Sequence, residues 1–203
     1  MKVLIASRNL GKVNEFRELL AGLDIEVLSA EDVGLAESFD PEETGSTFEE
    51  NSLLKAKAYA KKTGLSVIAD DSGLVVDALD GRPGVYSKRY GNSDSERNEK
   101  LLQEMDSIAK TSRNARFVCS MTIFDPVKNV NKTVEGKVEG LISNEAKGKL
   151  GFGYDPIFIP EEGDGRTFAE YGSEFKNKVS HRARALEALK KEIVDLKLVS
   201  DKT

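Results

Sequence analysis

Apolar positions recur along the chain with two periods, and these predict where strands and helices fall. Residues 2–6 carry Val3, Leu4 and Ile5 in an unbroken run, the pattern of a strand buried on both faces. Val13, Phe16, Leu19 and Leu20 then recur at helical spacing, which predicts a helix over 13–21 stopped by Gly22. A short strand follows at 25–28. Ser46 and Thr47 each stand three residues before a glutamate, Glu49 and Glu50, so two overlapping capping boxes predict a long helix over 46–63, closed by Gly64. Ser93 and Glu96 repeat the signature for a helix reaching Met105, and residues 106–114 read as polar linker. In residues 115–124, Phe117, Cys119 and Met121 alternate with Val118, Ser120 and Thr122, so neither face is clearly polar; this reads as a central, two-sided strand, with a neighbour at 130–140 across a turn at 125–129. Near the end, Ser180 is placed to cap a helix with the stripe Ala183, Leu186, Leu189 and Ile193.

The pattern is most pointed at residues 67–91. An apolar strand runs into two adjacent carboxylates, Asp70 and Asp71; Ser72 and Gly73 are expected to turn the chain, and a second apolar run follows from Leu74 to Leu79. Open α/β sheets place chemistry where strands end, so Asp70–Asp71 marks the centre of a candidate site. Other stretches carry chemistry as well. The loop Ser7, Arg8, Asn9, Leu10, Gly11, Lys12 joins a strand to a helix. Its backbone N–H groups, the helix dipole and the Lys12 charge together suit an anion, although such a loop taken alone is more often an ordinary capped turn. Neither G-x-x-x-x-G-K-[ST] nor G-x-G-x-x-G is present. Residues 31–50 hold eight acidic and no basic side chains, most of them a solvated surface. Glu42 and Glu43, however, lie in a stiff turn just before a helix, where carboxylates can hold a hard cation. Asn51 and Lys55 share a helix face. Lys55 stands among apolar neighbours, which directs its head group into a cleft or lets it snorkel to the surface. In residues 148–160, Gly148, Gly151 and Gly153 frame Phe152, Tyr154 and Asp155. This suits either a flat ligand close to the backbone or a glycine-rich turn with two core aromatics. His181 and Arg182 fall in the first turn of the last helix, where cations oppose the dipole and an anionic or carbonyl-rich ligand would relieve them.

Composition narrows the class. The 203 residues suit one domain, single or two-lobed, and 39% hydrophobic with 32% charged residues is a globular composition. Thirty basic against 35 acidic residues give a net charge of −5, which argues against a nucleic-acid polymer as partner. A single cysteine, Cys119, forbids an internal disulfide, and a single histidine, His181, makes a zinc site or a Cys-His dyad improbable. No apolar run reaches the roughly 18 residues of a membrane span, and the N-terminal run is too short for a signal peptide. The expectation is a cytoplasmic protein with no membrane partner. Together, Glu42, Glu43, Asp70 and Asp71 with Lys12, Lys55, Lys176, His181 and Arg182 are a set for polyphosphate chemistry with Mg²⁺. A glycine-framed aromatic with donors Lys176 and Arg182 suits a purine with a 6-keto group, because a 6-amino group would set donor against donor.

Five motifs in order resemble one family, the inosine triphosphate pyrophosphatases: SRNLGK at 7–12, EETGSTFEE at 42–50 with Asn51 and Lys55, ADDSGLVVDALDGRPG at 69–84, FGYDP at 152–156 and SHR at 180–182. The resemblance implies an α/β protein, elongated and two-lobed around a long mixed β-sheet with flanking helices and a central substrate cleft, usually homodimeric. It implies Mg²⁺-dependent hydrolysis of ITP, dITP or XTP to the monophosphate and pyrophosphate. By residue, it implies that Ser7, Arg8, Asn9, Leu10, Gly11 and Lys12 cradle the phosphates and that Lys55 contacts the phosphate chain. Asp71 would be catalytic carboxylate and metal ligand, Ser72 a substrate contact, and Glu42 a second metal ligand, with Glu43 leaving that register open. Phe152, Gly153, Tyr154 and Asp155 would form the base pocket, read from the tail by Lys176, His181 and Arg182. Asp70 is expected to support Asp71. Three rivals remain: a pyrimidine-selective relative, a phosphomonoesterase, whose D-x-D-x-[TV] motif is absent, and a nucleotide sensor without turnover.

Overall fold

The computed structural model describes residues 1–195. Strands β1 (Lys2–Ile5), β2 (Glu26–Leu28), β3 (Ser66–Val76), β4 (Asn114–Asp125), β5 (Val130–Ile142) and β6 (Phe158–Pro160) form one sheet in the order β2-β1-β3-β4-β5-β6. The sheet is mixed. β2 and β3 both run parallel to β1, with Val3 opposite Val27 and Ser66, whereas β5 and β6 are antiparallel. Parallel neighbours need crossovers. α1 (Leu10–Leu19) provides the one between β1 and β2, and α2 (Phe48–Thr63) the one between β2 and β3. Helices α3 (Asp94–Glu104), α4 (Ser173–Val179) and α5 (His181–Asp195) complete the fold, with short 3-10 turns between elements.

The chain divides into two units. One holds Met1–Asp71, Ser120–Glu135 and the chain from Ala185 on; the other holds Ser72–Cys119 and Gly136–Arg184. Each has its own apolar core. In the first, Ala56, Tyr59 and Ala60 of α2 pack on Leu4, Val67 and Ala69 of the sheet. In the second, Leu74, Val76, Phe117, Val138 and Phe158 from the strands meet Leu101 and Met105 at α3, and Phe117 lies 4.7 Å from Phe158 between ring centroids.

One expectation is overturned here. Ser72 and Gly73 do not turn the chain: β3 runs unbroken from Ser66 to Val76, with Asp70 and Asp71 in its middle. The apolar run after Gly73 continues the strand because Leu74 and Val76 supply the second core. The carboxylates still emerge at a strand end, but that of the neighbour. β1 pairs with β3 only as far as Ile5 opposite Ile68, so Asp70 and Asp71 lie beyond the end of β1. Smaller differences have similarly local causes. α1 begins at Leu10 rather than Val13, because the Asn9 side chain caps it by accepting from the Lys12 N–H at 3.3 Å. The linker before β4 hides Arg113, whose guanidinium donates to the carbonyls of Met105 (2.6 Å), Ile142 (2.8 Å) and Ser143 (2.8 Å). On α5, Ala185 rather than Ala183 joins Leu186, Leu189 and Ile193 in the buried stripe. The strand pair at β4 and β5 is as expected, joined by residues 126–129, and β4 is buried on both faces.

Candidate functional site

A charged cluster lies wholly within the first unit and hangs on α2. Of the two overlapping capping boxes, the later one supplies the N-cap, Thr47, while the return bond to Glu50 comes from Ser46. Thr47 Oγ1 accepts the Glu50 N–H at 3.1 Å, and the Glu50 carboxylate accepts the Ser46 N–H at 2.7 Å. Gly64, at φ 70°, closes the helix by donating to the Ala60 carbonyl at 2.7 Å. With its start fixed, the helix sets Asn51 and Lys55 one turn apart, both meeting β3. The fully buried Asn51 donates from Nδ2 to Asp71 Oδ2 at 3.0 Å and accepts the Gly45 N–H at 2.8 Å. Lys55 donates to the Asp70 carbonyl at 3.1 Å and forms an ion pair with Glu43. Burial alone would lower the Lys55 pKa, but the Asp70, Glu43 and Asp71 carboxylates outweigh it and raise the value above that of an ordinary lysine. Lys12, in the first turn of α1, reaches the buried Asp70 carboxylate at 2.9 Å.

Lys12, Glu43, Asn51, Lys55, Asp70 and Asp71 are therefore brought together. Glu42 is exposed, and its neighbour Glu43 holds Lys55. Arg8 turns its guanidinium to the backbone carbonyls of Ala36 and Phe39, and Leu10 is exposed. Ser7 accepts the Asn9 N–H at 3.2 Å and so shapes the loop before α1. Among the described residues, no three His, Cys, Asp or Glu side chains converge as a finished metal cage. Mg²⁺ asks for less: it typically takes one or two carboxylates and fills its octahedron with water and substrate phosphates. The hard oxygen donors around Lys55 fit that demand.

The other unit holds a second cluster, built differently. Gly151 has φ 78°, and a Cβ there would collide with the Asp155 carboxylate, so glycine is required. That carboxylate accepts the Phe152 N–H at 2.9 Å and forms an ion pair with Lys176 of α4. The Lys176 ammonium also stands 4.3 Å from the centroid of the Phe152 ring. Phe152 is 55% exposed, an unusual state for a ring on so constrained a backbone. Tyr154 is different: it is buried and donates to the Ser87 carbonyl at 2.8 Å, so it is a core aromatic. Ser72, on β3, is half-buried in this unit. Ser180 caps α5 as expected, accepting the Ala183 N–H at 3.2 Å. His181 and Arg182 are both buried, and the imidazole stacks on Phe117 at 4.9 Å. Phe152, Asp155 and Lys176 thus form one contact group, and His181 stacks within the aromatic core beside it.

The chain's similarities to known proteins bear on both clusters. The Ham1 family matches residues 3–192, which takes in every residue of both clusters. The chain belongs to the Ham1 family. Among its relatives, the dITP/XTP pyrophosphatase of Bacillus subtilis (strain 168) is 50% identical over 193 residues, covering 94% of this chain and 96% of that protein. The dITP/XTP pyrophosphatase of Listeria monocytogenes serovar 1/2a (strain ATCC BAA-679 / EGD-e) is 45% identical over 199 residues, covering 96% of each. The solved Ham1 protein of Staphylococcus aureus superposes with a TM-score of 0.87 at 42% identity, covering 97% of this chain and 100% of that one. That of Coxiella burnetii gives 0.88 at 39% identity, covering 96% and 99%. The mixed α/β fold is that of the Ham1 proteins. No helix among the described residues is long and apolar enough to cross a membrane.

Two further residues escaped the motif reading. Asp94 and Asn98 of α3 both bond the backbone of Gly153. The available signal was Asn98 itself, a polar residue on the helical stripe that continues through Leu101 and Met105.

Proposed function

We propose that this Ham1 protein hydrolyses purine nucleoside triphosphates of the ITP, dITP and XTP type to the monophosphate and pyrophosphate, so removing them from the nucleotide pool. The observation that carries the reading is the cluster on α2 and β3. Two lysines stand interleaved with carboxylates and already neutralised by them, within a chain half identical to a dITP/XTP pyrophosphatase. An incoming triphosphate exchanges these internal partners for its own oxygens. Lys12 and Lys55 then grip the phosphate chain. Asp71, one oxygen fixed by Asn51, takes the proton of a water that attacks the α-phosphorus. The bond from that phosphorus to the bridging oxygen breaks, and pyrophosphate leaves with its charge held by the lysines.

Asp71 with Glu42 or Glu43 would hold Mg²⁺, whose charge lowers the barrier for a polyphosphate leaving group. The geometry around Lys55 favours Glu43 for that role. Phe152 offers a stacking face for the base, and Lys176 and Arg182 are the donors that suit a 6-keto purine. Hydrogen bonding of this kind can reject an analogue lacking the matching group by roughly 10⁴-fold. The test supplies ITP, dITP, XTP, GTP and ATP with and without Mg²⁺ and measures pyrophosphate against orthophosphate. The expected result is pyrophosphate from ITP, dITP and XTP in Mg²⁺. Orthophosphate as the product, or equal turnover of ATP, overturns the reading. The resemblance also supports a homodimer in the cytoplasm; sedimentation equilibrium at the mass of a single chain would exclude the dimer.

A further inference from the structure

The loop that presents Phe152 is held from outside the motif. Asp94 is the first residue of α3, capped by Ser93 Oγ, which accepts the Glu96 N–H at 3.2 Å. Its Oδ2 accepts the Gly153 N–H at 2.7 Å, while its Oδ1 pairs with Arg97. Asn98 lies one turn further along α3, and its Nδ2 donates to the Gly153 carbonyl at 3.0 Å. An acceptor and a donor at i and i+4 of one helix therefore take both backbone groups of one residue. Gly153 itself has φ 63°, the left-handed region that lets its N–H and C=O meet this helix. The Phe152 N–H is taken by Asp155 at 2.9 Å, and the Phe152 carbonyl accepts the Asp155 N–H at 3.3 Å. All four backbone polar groups of residues 152 and 153 are thus bonded, with the ring of Phe152 left exposed.

The state of Asn98 adds an independent observation. It is 5% exposed, and its Oδ1 has no hydrogen-bond partner among the described residues. A buried amide with an unsatisfied oxygen lowers stability, and a leucine would suit the apolar stripe of α3 better. What the amide provides at that cost is the bond to Gly153.

We infer that Asp94 and Asn98 are positioning residues for base recognition: they clamp the Gly153 peptide so that Phe152 forms a rigid stacking face for the purine. The inference rests on the functional reading above. It predicts an effect confined to the base. A loose loop orders only when the nucleotide binds, and affinity falls by the cost of that ordering. The phosphate cluster lies on other elements and keeps its affinity.

The test compares wild type with Asp94→Ala, Asn98→Ala and the conservative Asp94→Asn, which keeps an acceptor oxygen for the Gly153 N–H. For ITP, the expected result is a KM about tenfold higher in each alanine variant, kcat within about twofold, and near-normal KM in Asp94→Asn. Inorganic tripolyphosphate, which has no base, is the control. As a competitive inhibitor it should keep the same Ki, within about twofold, in all four proteins. Asp94 lies at a helix start with its side chain partly exposed, so Asp94→Ala leaves the apolar core untouched and tests the clamp even if Asn98→Ala fails to fold. An unchanged KM in Asp94→Ala, or a Ki for tripolyphosphate that rises in parallel with KM, overturns the inference while the functional reading stands. A wild-type protein with no turnover of any purine triphosphate overturns the functional reading and the inference with it.

Discussion

Two clusters, one in each unit, solve opposite problems. Lys12, Lys55, Asp70 and Asp71 are dense in charge and mounted on regular elements, β3, the face of α2 and the first turn of α1, with Glu43 joining them from the loop before α2. Its electrostatics are satisfied internally, so substrate has to replace one set of partners by another. Phe152, Asp155 and Lys176 are mounted on a glycine-bearing loop and a short helix, tied by the Asp155–Lys176 ion pair and the Lys176–Phe152 ring contact. There, rigidity comes from backbone hydrogen bonds to Asp155, Asp94 and Asn98. The charged cluster should therefore govern kcat, where charge develops in the transition state. The aromatic cluster should govern KM and the choice of base.

Removing the charge that this scheme makes essential should give the largest effect. Asp71→Asn keeps the size of the side chain and loses the carboxylate, so kcat should fall by roughly 10³-fold. Nucleotide affinity, read by fluorescence titration, should change little; near-normal kcat would remove Asp71 as base and ligand alike. Lys55→Ala comes next. It should lower kcat by about 10²-fold and raise KM much less, since a group gripping the leaving pyrophosphate matters most in the transition state. Phe152→Ala is the reciprocal case. Loss of one stacking face should raise KM for ITP about tenfold at constant kcat, leaving the preference for ITP over ATP to the donors Lys176 and Arg182. A fall in kcat with unchanged KM for Phe152→Ala would erase the division of labour between the two clusters.

The parts legible in the sequence are those with strong local causes. α2 announces itself by its two capping boxes and Gly64, and the partnership of Asn51 with Lys55 follows from helical spacing. β1 is plain as a continuous apolar run, and β4 as a stretch with no clearly polar face. The continuity of β3 through Ser72 and Gly73 was hidden, because a polar pair followed by glycine is also how a turn is written. Only the presence of a second core beneath Leu74 and Val76 decides between the two. Lys12 could be placed near an anion site from its loop, but its bond to Asp70, 58 residues away, is a tertiary fact. Local pattern was equally ambiguous for the aromatics of the glycine-rich loop. Phe152 and Tyr154 are two residues apart in one motif, yet one ring is exposed and the other is core. What separates them is the Ser87 carbonyl waiting for the Tyr154 hydroxyl. Asp94 and Asn98 bond a loop 59 and 55 residues distant, beyond any local rule.

The smallest predicted effect tests whether the charged cluster is held together by Lys55 as a cation. Burial opposes the charge on Lys55, and the carboxylates of Asp70, Glu43 and Asp71 more than compensate, so its folded-state pKa lies above the ordinary lysine value. A basic group with a raised folded pKa stabilises the fold fully below its unfolded pKa, and that contribution is lost as pH rises through the folded pKa. The ordinary value is about 10.4, so Lys55 stays charged across the neutral range and cannot cause a loss of activity there. Urea denaturation of wild type and Lys55→Gln should show a constant difference in stability from pH 7 to about pH 10, narrowing only above it. If the difference closes near neutral pH instead, the carboxylates do not outweigh burial. Lys55 would then be a poorly charged lysine, unsuited to holding a departing pyrophosphate.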